Sequence, residues 1–235
     1  TLGAEAAAAG ITSINLLDDA NGIDFITLEA GFTNDITIDF DDDNTVDNKV
    51  VATTYTKVLT VTAADTDLSN GTQVATITGG TGSDILEITT GTDNLTATHL
   101  ANVTKVETFK VATDAAANIT LSDNNVVGTS SSTETLTIDA TAQVTTNAST
   151  IDASAEDDGK VVINTGAGAD TVTGSASANY GDTITTLAGA DTISGGAGAD
   201  TIDAGAGADS ITGGAGADSI TGGADGDIFI YTAVS

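Results

Sequence analysis

The residues with chemical potential in this chain are aspartates at a fixed interval. Asp191, Asp200, Asp209, Asp218 and Asp227 stand nine residues apart. Two residues after each comes a large apolar side chain: Ile193, Ile202, Ile211, Ile220 and Phe229. Before each aspartate lie small residues, mostly Gly and Ala, that leave backbone carbonyls uncovered. Carboxylates and carbonyls together are an all-oxygen donor set. Calcium takes 6–8 such oxygens at about 2.3–2.6 Å. Catalytic patterns are missing: there is no G-x-S-x-G, no H-E-x-x-H and no P-loop. The single histidine, His99, has no Ser or Cys elbow beside it and reads as a surface or edge-strand residue. Pairs such as Asp65/Asp67 and Asp157/Asp158 are of the kind any polar turn carries. With Phe 5, Tyr 3 and Trp 0 there is little material for an aromatic sugar platform. The expectation is a non-enzymatic chain.

The elements that must position these aspartates follow from the same period. From Thr165 to Ile230 the phrases run TGAGADTVT, TLAGADTIS, GGAGADTID, AGAGADSIT, GGAGADSIT and GGADGDIFI. Each has a glycine-rich turn half and a strand half, in which β-branched residues flank one inward apolar residue. One apolar residue in nine makes no core alone. Stacked coils of two phrases would put Ile193, Ile211 and Phe229 in one row and Ile184, Ile202 and Ile220 in another. The same stacking lines up Asp182, Asp200 and Asp218 on one edge and Asp191, Asp209 and Asp227 on the other. At the strand spacing of roughly 5 Å these carboxylates repel, and a cation between them removes the conflict. A flexible linker would need no phase between Asp and Ile, and the phase here is strict. The interval from Asp170 to Asp182 is twelve, and Gly174–Tyr180 has lost most glycines. A loop with a weak or missing ion is expected there.

The phrase fits G-G-x-G-x-D-x-U-x, and on these residues the chain resembles the RTX calcium-binding β-roll. The resemblance covers roughly Thr165–Ile230, with one further copy at Gly79–Glu87. It implies several calcium ions, each shared between the aspartate and carbonyls of one turn and the turn above. Carried over residue by residue, the ligands are Asp191, Asp200, Asp209 and Asp218, with carbonyls of Gly195, Gly196, Gly198, Gly205, Gly207, Gly213, Gly214 and Gly216. The flanking copies add Gly166, Gly168, Asp170, Asp182, Gly189, Gly222, Gly223, Asp225 and Asp227. The isolated copy adds Gly79, Gly80, Gly82 and Asp84.

Upstream, the texture is β throughout. Ile11–Leu17, Ile23–Leu28 and Asp35–Phe40 alternate apolar with polar residues, and Val46–Thr62 reads as the longest strand-like stretch. Asp41-Asp42-Asp43-Asn44 reads as an acidic turn, open between a cation site and a solvated loop. Leu95–Leu100 and Val103–Val111 read as strand, turn, strand. An echo, Glu-Thr-apolar-x-apolar, links residues 107–111 to 134–138 and suggests coils of about twenty to thirty residues. In this texture the stretch is similar to the irregular β-solenoid between nonapeptide clusters of bacterial surface-layer (S-layer) proteins. The expected fold is all-β, a right-handed parallel β-solenoid. Residues 1–160 form irregular coils and residues 161–235 the regular β-roll. Asp227–Tyr231 is expected to close the open end.

Of 235 residues, 5 are Lys or Arg and 34 are Asp or Glu, a formal net charge of −29. Self-repulsion on that scale opposes a compact state, so bound cations are expected. The charge excludes nucleic acid, which needs a basic footprint, and anionic membrane surfaces. No apolar stretch approaches a membrane span, so no membrane insertion is expected. Without cysteine there is neither a disulfide framework nor a zinc–thiolate site. The chain reads as a fragment of a longer protein. The resemblance implies an extracellular segment exported unfolded by type I secretion and folded by external calcium. The expected role is structural, in an S-layer that self-associates into a surface lattice and meets cell-surface polysaccharide through other regions. The alternatives are an RTX adhesin stalk or ligand-binding segment, and the C-terminal secretion domain of a secreted enzyme.

Overall fold

Strands in this chain are short, and most send only one to three side chains inward, so neighbouring coils must supply the rest of the core. The computed structural model describes all residues except 17–24, 41–47, 65–67, 69–73, 91–93, 113–115, 124, 126–134, 145 and 232–235. The first third contains α1 (Ala4–Ala8), β1 (Ser13–Leu16), β2 (Phe25–Thr27), β3 (Ile36–Phe40), β4 (Lys49–Val51), β5 (Leu59–Ala64) and β6 (Thr76–Thr78). The middle contains β7 (Ile85–Thr90), β8 (Asn94–Leu95), α2 (Ala97–Leu100), β9 (Val103–Thr104), β10 (Thr108–Val111), β11 (Asn118–Thr120), β12 (Thr135–Asp139) and β13 (Thr150–Asp152). The last part contains β14 (Lys160–Asn164), β15 (Thr171–Thr173), β16 (Thr183–Thr185), β17 (Thr192–Ala197), β18 (Thr201–Asp203), β19 (Ser210–Ala215), β20 (Ser219–Thr221) and β21 (Ile228–Ile230).

Among the described residues these strands form three parallel sheets. The first is ten-stranded, in the order β1-β3-β5-β7-β10-β12-β14-β16-β18-β20. Opposite it lies a four-stranded sheet, β2-β4-β6-β9, replaced further along by a seven-stranded one, β8-β11-β13-β15-β17-β19-β21. The chain alternates between the two sides, which is a parallel β-solenoid. Register keeps one apolar row unbroken: Ile14, Ile38, Val61, Leu86, Phe109, Ile138, Ile163, Ile184, Ile202 and Ile220 pair in succession. A second row runs Leu95, Ile119, Ile151, Val172, Ile193, Ile211 and Phe229. Most of these side chains are buried, and each fully buried Ile or Leu contributes roughly 1.5–3 kcal/mol. The boundary near residue 160 falls within the ten-stranded sheet, where β14 pairs with both β12 and β16.

Coil length varies upstream, reaching 29 residues between Thr108 and Thr137, and becomes short and constant only in the last part of the chain. Equivalent turn positions lie 25 residues apart at Leu59 and Asp84, 23 at Asp84 and Glu107, 21 at Val161 and Asp182, and 18 from Asp182 onward.

Four expectations are corrected. Leu95–Leu100 is not a strand, because Thr96 caps α2: its hydroxyl accepts from His99 N–H while the His99 ring takes the Thr96 N–H. His99 therefore belongs to a helix cap instead of an edge strand. Val46–Thr62 is not one element but β4 and β5, split by the turn Ala52–Tyr55, because its two ends belong to opposite sheets. The terminal coil does not close the stack. Ile228, Phe229, Ile230 and Tyr231 are 63%, 41%, 45% and 86% exposed, since no described element packs over them. The acidic run Asp41–Asp43 and the pair Asp65/Asp67 lie outside the described residues.

Candidate metal centre

Two edges of the solenoid carry the aspartates. On the edge leading into the ten-stranded sheet stand Gly79, Gly80, Gly82 and Asp84 before β7, Asp182 before β16, Gly195, Gly196, Gly198 and Asp200 before β18, and Gly213, Gly214, Gly216 and Asp218 before β20. On the opposite edge stand Gly166, Gly168 and Asp170 before β15, Gly189 and Asp191 before β17, Gly205, Gly207 and Asp209 before β19, and Gly222, Gly223, Asp225 and Asp227 before β21. The alternation of edges follows from the odd and even copies of the nine-residue phrase feeding opposite sheets.

Each aspartate is locked by its first oxygen. Oδ1 accepts the backbone N–H of the aspartate one coil earlier: Asp191 from Asp170 at 2.8 Å, Asp200 from Asp182 at 2.8 Å, Asp209 from Asp191 at 2.8 Å, Asp218 from Asp200 at 3.1 Å and Asp227 from Asp209 at 3.2 Å. This ladder fixes the carboxylates in register with the strands. It leaves the second oxygen to be satisfied elsewhere. Oδ2 of Asp170, Asp191, Asp200 and Asp209 is buried with no hydrogen-bond partner. Those four residues are only 1% exposed. A buried, uncompensated carboxylate costs several kcal/mol. Burial accordingly pushes the Asp191 and Asp200 carboxyls up to about 6, with the facing aspartates of adjacent coils pushing the same way. Burial also raises Asp170.

The backbone beside these oxygens is held open by glycine. At Gly207 (φ +140°) a Cβ would lie 1.6 Å from the Gly189 carbonyl oxygen, and at Gly216 (φ +139°) 1.7 Å from that of Gly198. Both the left-handed conformation and the close approach exclude any side chain. Coil stacks on coil with the carbonyl of one turn set directly against the glycine of the next. Among the described residues no three His, Cys, Asp or Glu side chains converge. The donor set for a cation is therefore one or two carboxylates plus glycine carbonyls. Orphaned carboxylate oxygens, raised carboxyl pKa values and side-chain-free carbonyls all fit calcium. Asp191, Asp200 and Asp209 are flanked by such turns on both sides, and Asp170 borders the first. Asp218 and Asp227 are half-buried and Asp225 exposed, at the open end. Asp225 (φ +78°) and Leu187 (φ +56°) hold left-handed positions where other copies have glycine.

Two predicted sites look different. Asp182 has its Oδ1 taken by Val161 N–H at 2.8 Å and its Oδ2 by Ser175 N–H at 2.6 Å, so the loop Gly174–Tyr180 supplies a donor where the array leaves an orphan. Asp84 is saturated in the same way, by Leu59 N–H at 2.9 Å and Gly80 N–H at 2.5 Å. None of Gly79, Gly80 and Gly82 takes a positive φ. This copy stacks through hydrogen bonds, and burial raises the Asp84 carboxyl.

The ladder also extends to residues that the aspartate period did not single out. Glu107 Oε2 accepts the Asp84 N–H at 2.6 Å, Ser149 Oγ the Ala117 N–H at 3.2 Å, and Asp170 Oδ1 the Ser149 N–H at 2.7 Å. The available signal was the frame Glu107-Thr108-Phe109, which matches Asp200-Thr201-Ile202.

A family model for the RTX calcium-binding nonapeptide repeat (4 copies) matches residues 150–181, 177–211 and 195–229. No curated protein matches the chain, and no solved structure does. The match begins at β13, one coil ahead of the strict tandem phrases. It covers every buried aspartate with an orphaned oxygen. These repeats bind calcium at multiple sites and give the chain a calcium-dependent structural role. Residues 150–229 are an RTX calcium-binding repeat array.

Proposed function

We propose that the chain is a rigid structural segment of a bacterial cell-surface protein, an S-layer protein that assembles outside the cell on calcium. The observation that carries this reading is the ten-stranded sheet, which passes from β1 to β20 through both kinds of coil. A secretion tail appended to an enzyme needs no shared sheet with what precedes it. A load-bearing lattice element does. RTX proteins as a class are typically secreted by type I export, which passes an unfolded chain. Folding that depends on external calcium suits that route, because an ion bound only by the folded state contributes its binding energy to folding. The function requires no catalysis. Self-association into a lattice is the principal partner interaction, and polysaccharide contact falls to other regions.

Electron microscopy of the purified chain with and without calcium tests the reading. Calcium-dependent two-dimensional sheets are expected. Monodisperse rods that bind cells or sugars would overturn the lattice reading in favour of an adhesin stalk, which the same stiffness also serves.

A further inference from the structure

The outward face of the seven-stranded sheet differs in charge from the face opposite. β11, β13, β15, β17 and β19 each turn one apolar residue inward and the residues on either side of it outward. Register sets the leading ones in one rank: Asn118, Thr150, Thr171, Thr192 and Ser210. The trailing ones make a second rank: Thr120, Asp152, Thr173, Ser194 and Thr212. Asp152 is the one charged residue among them, and its Oδ1 accepts the Ser154 N–H at 3.0 Å. Neighbours along a rank stand about 4.7–4.9 Å apart and the two ranks roughly 7 Å, the spacings of strand and pleat. The outward face of the ten-stranded sheet, by contrast, carries Glu87, Lys110, Asp139, Lys160 and Asp203.

Both ranks end in isoleucine. Ile228 pairs with Ser210 and Ile230 with Thr212, so the last coil puts apolar side chains where the coil before it has hydroxyls. Phe229 continues the inward row of that sheet, and the two exposed isoleucines serve no core row. The face is therefore a neutral, hydroxyl-lined strip with an apolar patch at one end.

We propose that a second copy of the chain docks on this face, two seven-stranded sheets meeting about a two-fold axis parallel to the solenoid; the inference rests on the self-association proposed above and names its surface. At a net charge of −29, two copies repel wherever carboxylates meet, and this strip is where approach costs least. A two-fold axis along the solenoid lays each rank over the other rank of the partner at the same coil. Thr171 then meets the partner's Thr173, the Asp152 carboxylate the partner's Thr150 hydroxyl, and Ile228 the partner's Ile230. The strip is narrow, so a single contact is transient, and repetition through a lattice strengthens it.

Sedimentation of the full chain in calcium at rising protein concentration measures the pairing, and electron microscopy of the same samples reads the lattice separately. Ile228→Ser/Ile230→Thr restores the residue types of the preceding coil and is expected to weaken pairing roughly tenfold or more. Thr173→Asp/Thr212→Asp adds carboxylates at the phrase position that Asp152 and Asp203 already occupy, and should weaken pairing as well. Thr185→Asp/Thr221→Asp adds the same charge to the ten-stranded face and should leave pairing unchanged. A wild type that stays monomeric, or pairing that the isoleucine variant leaves unchanged, overturns the contact. Should that variant fail to fold, equal effects of the two charge variants overturn it instead. Sheets that form from the folded isoleucine variant as from the wild type strike this face and leave the lattice standing. Wild-type pairs that the isoleucine variant abolishes, without sheets, uphold the face and strike the lattice.

Discussion

Turns at the two ends of this solenoid solve one packing problem in different ways. Near the N-terminus the turns Glu29–Phe32 and Ala52–Tyr55 each close on a hydrogen bond and point an aromatic ring inward. Phe32 and Tyr55 are fully buried, their ring centroids 6.0 Å apart in successive coils. Tyr55 also ties its turn to the coil below, its hydroxyl donating to the Asn34 carbonyl, and burial pushes its phenol up to about 12, so it stays a donor. Further along, the inward residues become polar: Asn125, Gln143 and Glu156, all buried. In the array the inward residue is gone, glycine takes its place, and an aspartate oxygen faces the space. Side chains fill the first kind of turn, and the second is left open for a cation. The first kind holds without ions and tolerates coils of varying length. The second permits the shortest coil, 18 residues, but leaves carboxylates unsatisfied until cations arrive.

The largest expected effect breaks the second kind of turn sterically. Gly207→Val places a branched side chain where a Cβ already meets a carbonyl at 1.6 Å, at a left-handed φ. The array should then fail to fold at any calcium concentration, seen by circular dichroism, with the N-terminal coils intact. Next, Tyr55→Ala should cost about 3–5 kcal/mol in chemical denaturation, by the same amount with and without calcium, because a ring and not an ion fills that turn. A calcium-dependent cost would blur the distinction between the two regions.

Asp200→Asn should have opposite signs in the two conditions. It removes a calcium ligand, lowering ion count and stability in calcium. In chelator it removes a buried charge and should raise array stability. Loss in both conditions would mean that the carboxylate is satisfied by protein alone.

Protons should substitute partly for calcium. The folded-state carboxyls of Asp191 and Asp200 sit near 6, above the ordinary 3.8. The folded, calcium-free array therefore holds protons that the unfolded chain releases. Its stability is greatest below about pH 4 and is lost as pH rises through about 6. A chelated sample should gain array structure on acidification from pH 7 to 5, and calcium affinity should weaken over the same range. The smallest effect is at Leu187, half-exposed in a left-handed conformation. Leu187→Gly should stabilise the array by about 1 kcal/mol, read as a higher melting temperature.

How much of this was legible in the sequence depends on period. Ile184, Ile202 and Ile220, and Ile193, Ile211 and Phe229, could be assigned to rows because the phrase repeats without a slip. The ladder of aspartates followed from the same arithmetic. What escaped was whatever the varying coil lengths hide. Glu107 and Ser149 take the aspartate's place in the ladder, but the separations of 23 and 32 residues to their partners share no period. Phe32, Tyr55, Asn125, Gln143 and Glu156 occupy equivalent turns with unlike side chains, so no motif links them. The isolated copy at Gly79–Glu87 matched the phrase, yet its Asp84 is saturated by Leu59 and Gly80 amides that sequence spacing does not reveal. The apolar run Asp227–Tyr231 suggested a cap, whereas three of its side chains cannot all face one core row.

The most direct measurement is hydrogen–deuterium exchange by mass spectrometry, with calcium and with excess chelator, on the full chain at pH 7. The account predicts that removing calcium abolishes amide protection across β17–β21 and leaves it across β3–β7. Protection that survives in the array, or that collapses equally in both regions, would contradict the division between side-chain-filled and ion-filled turns.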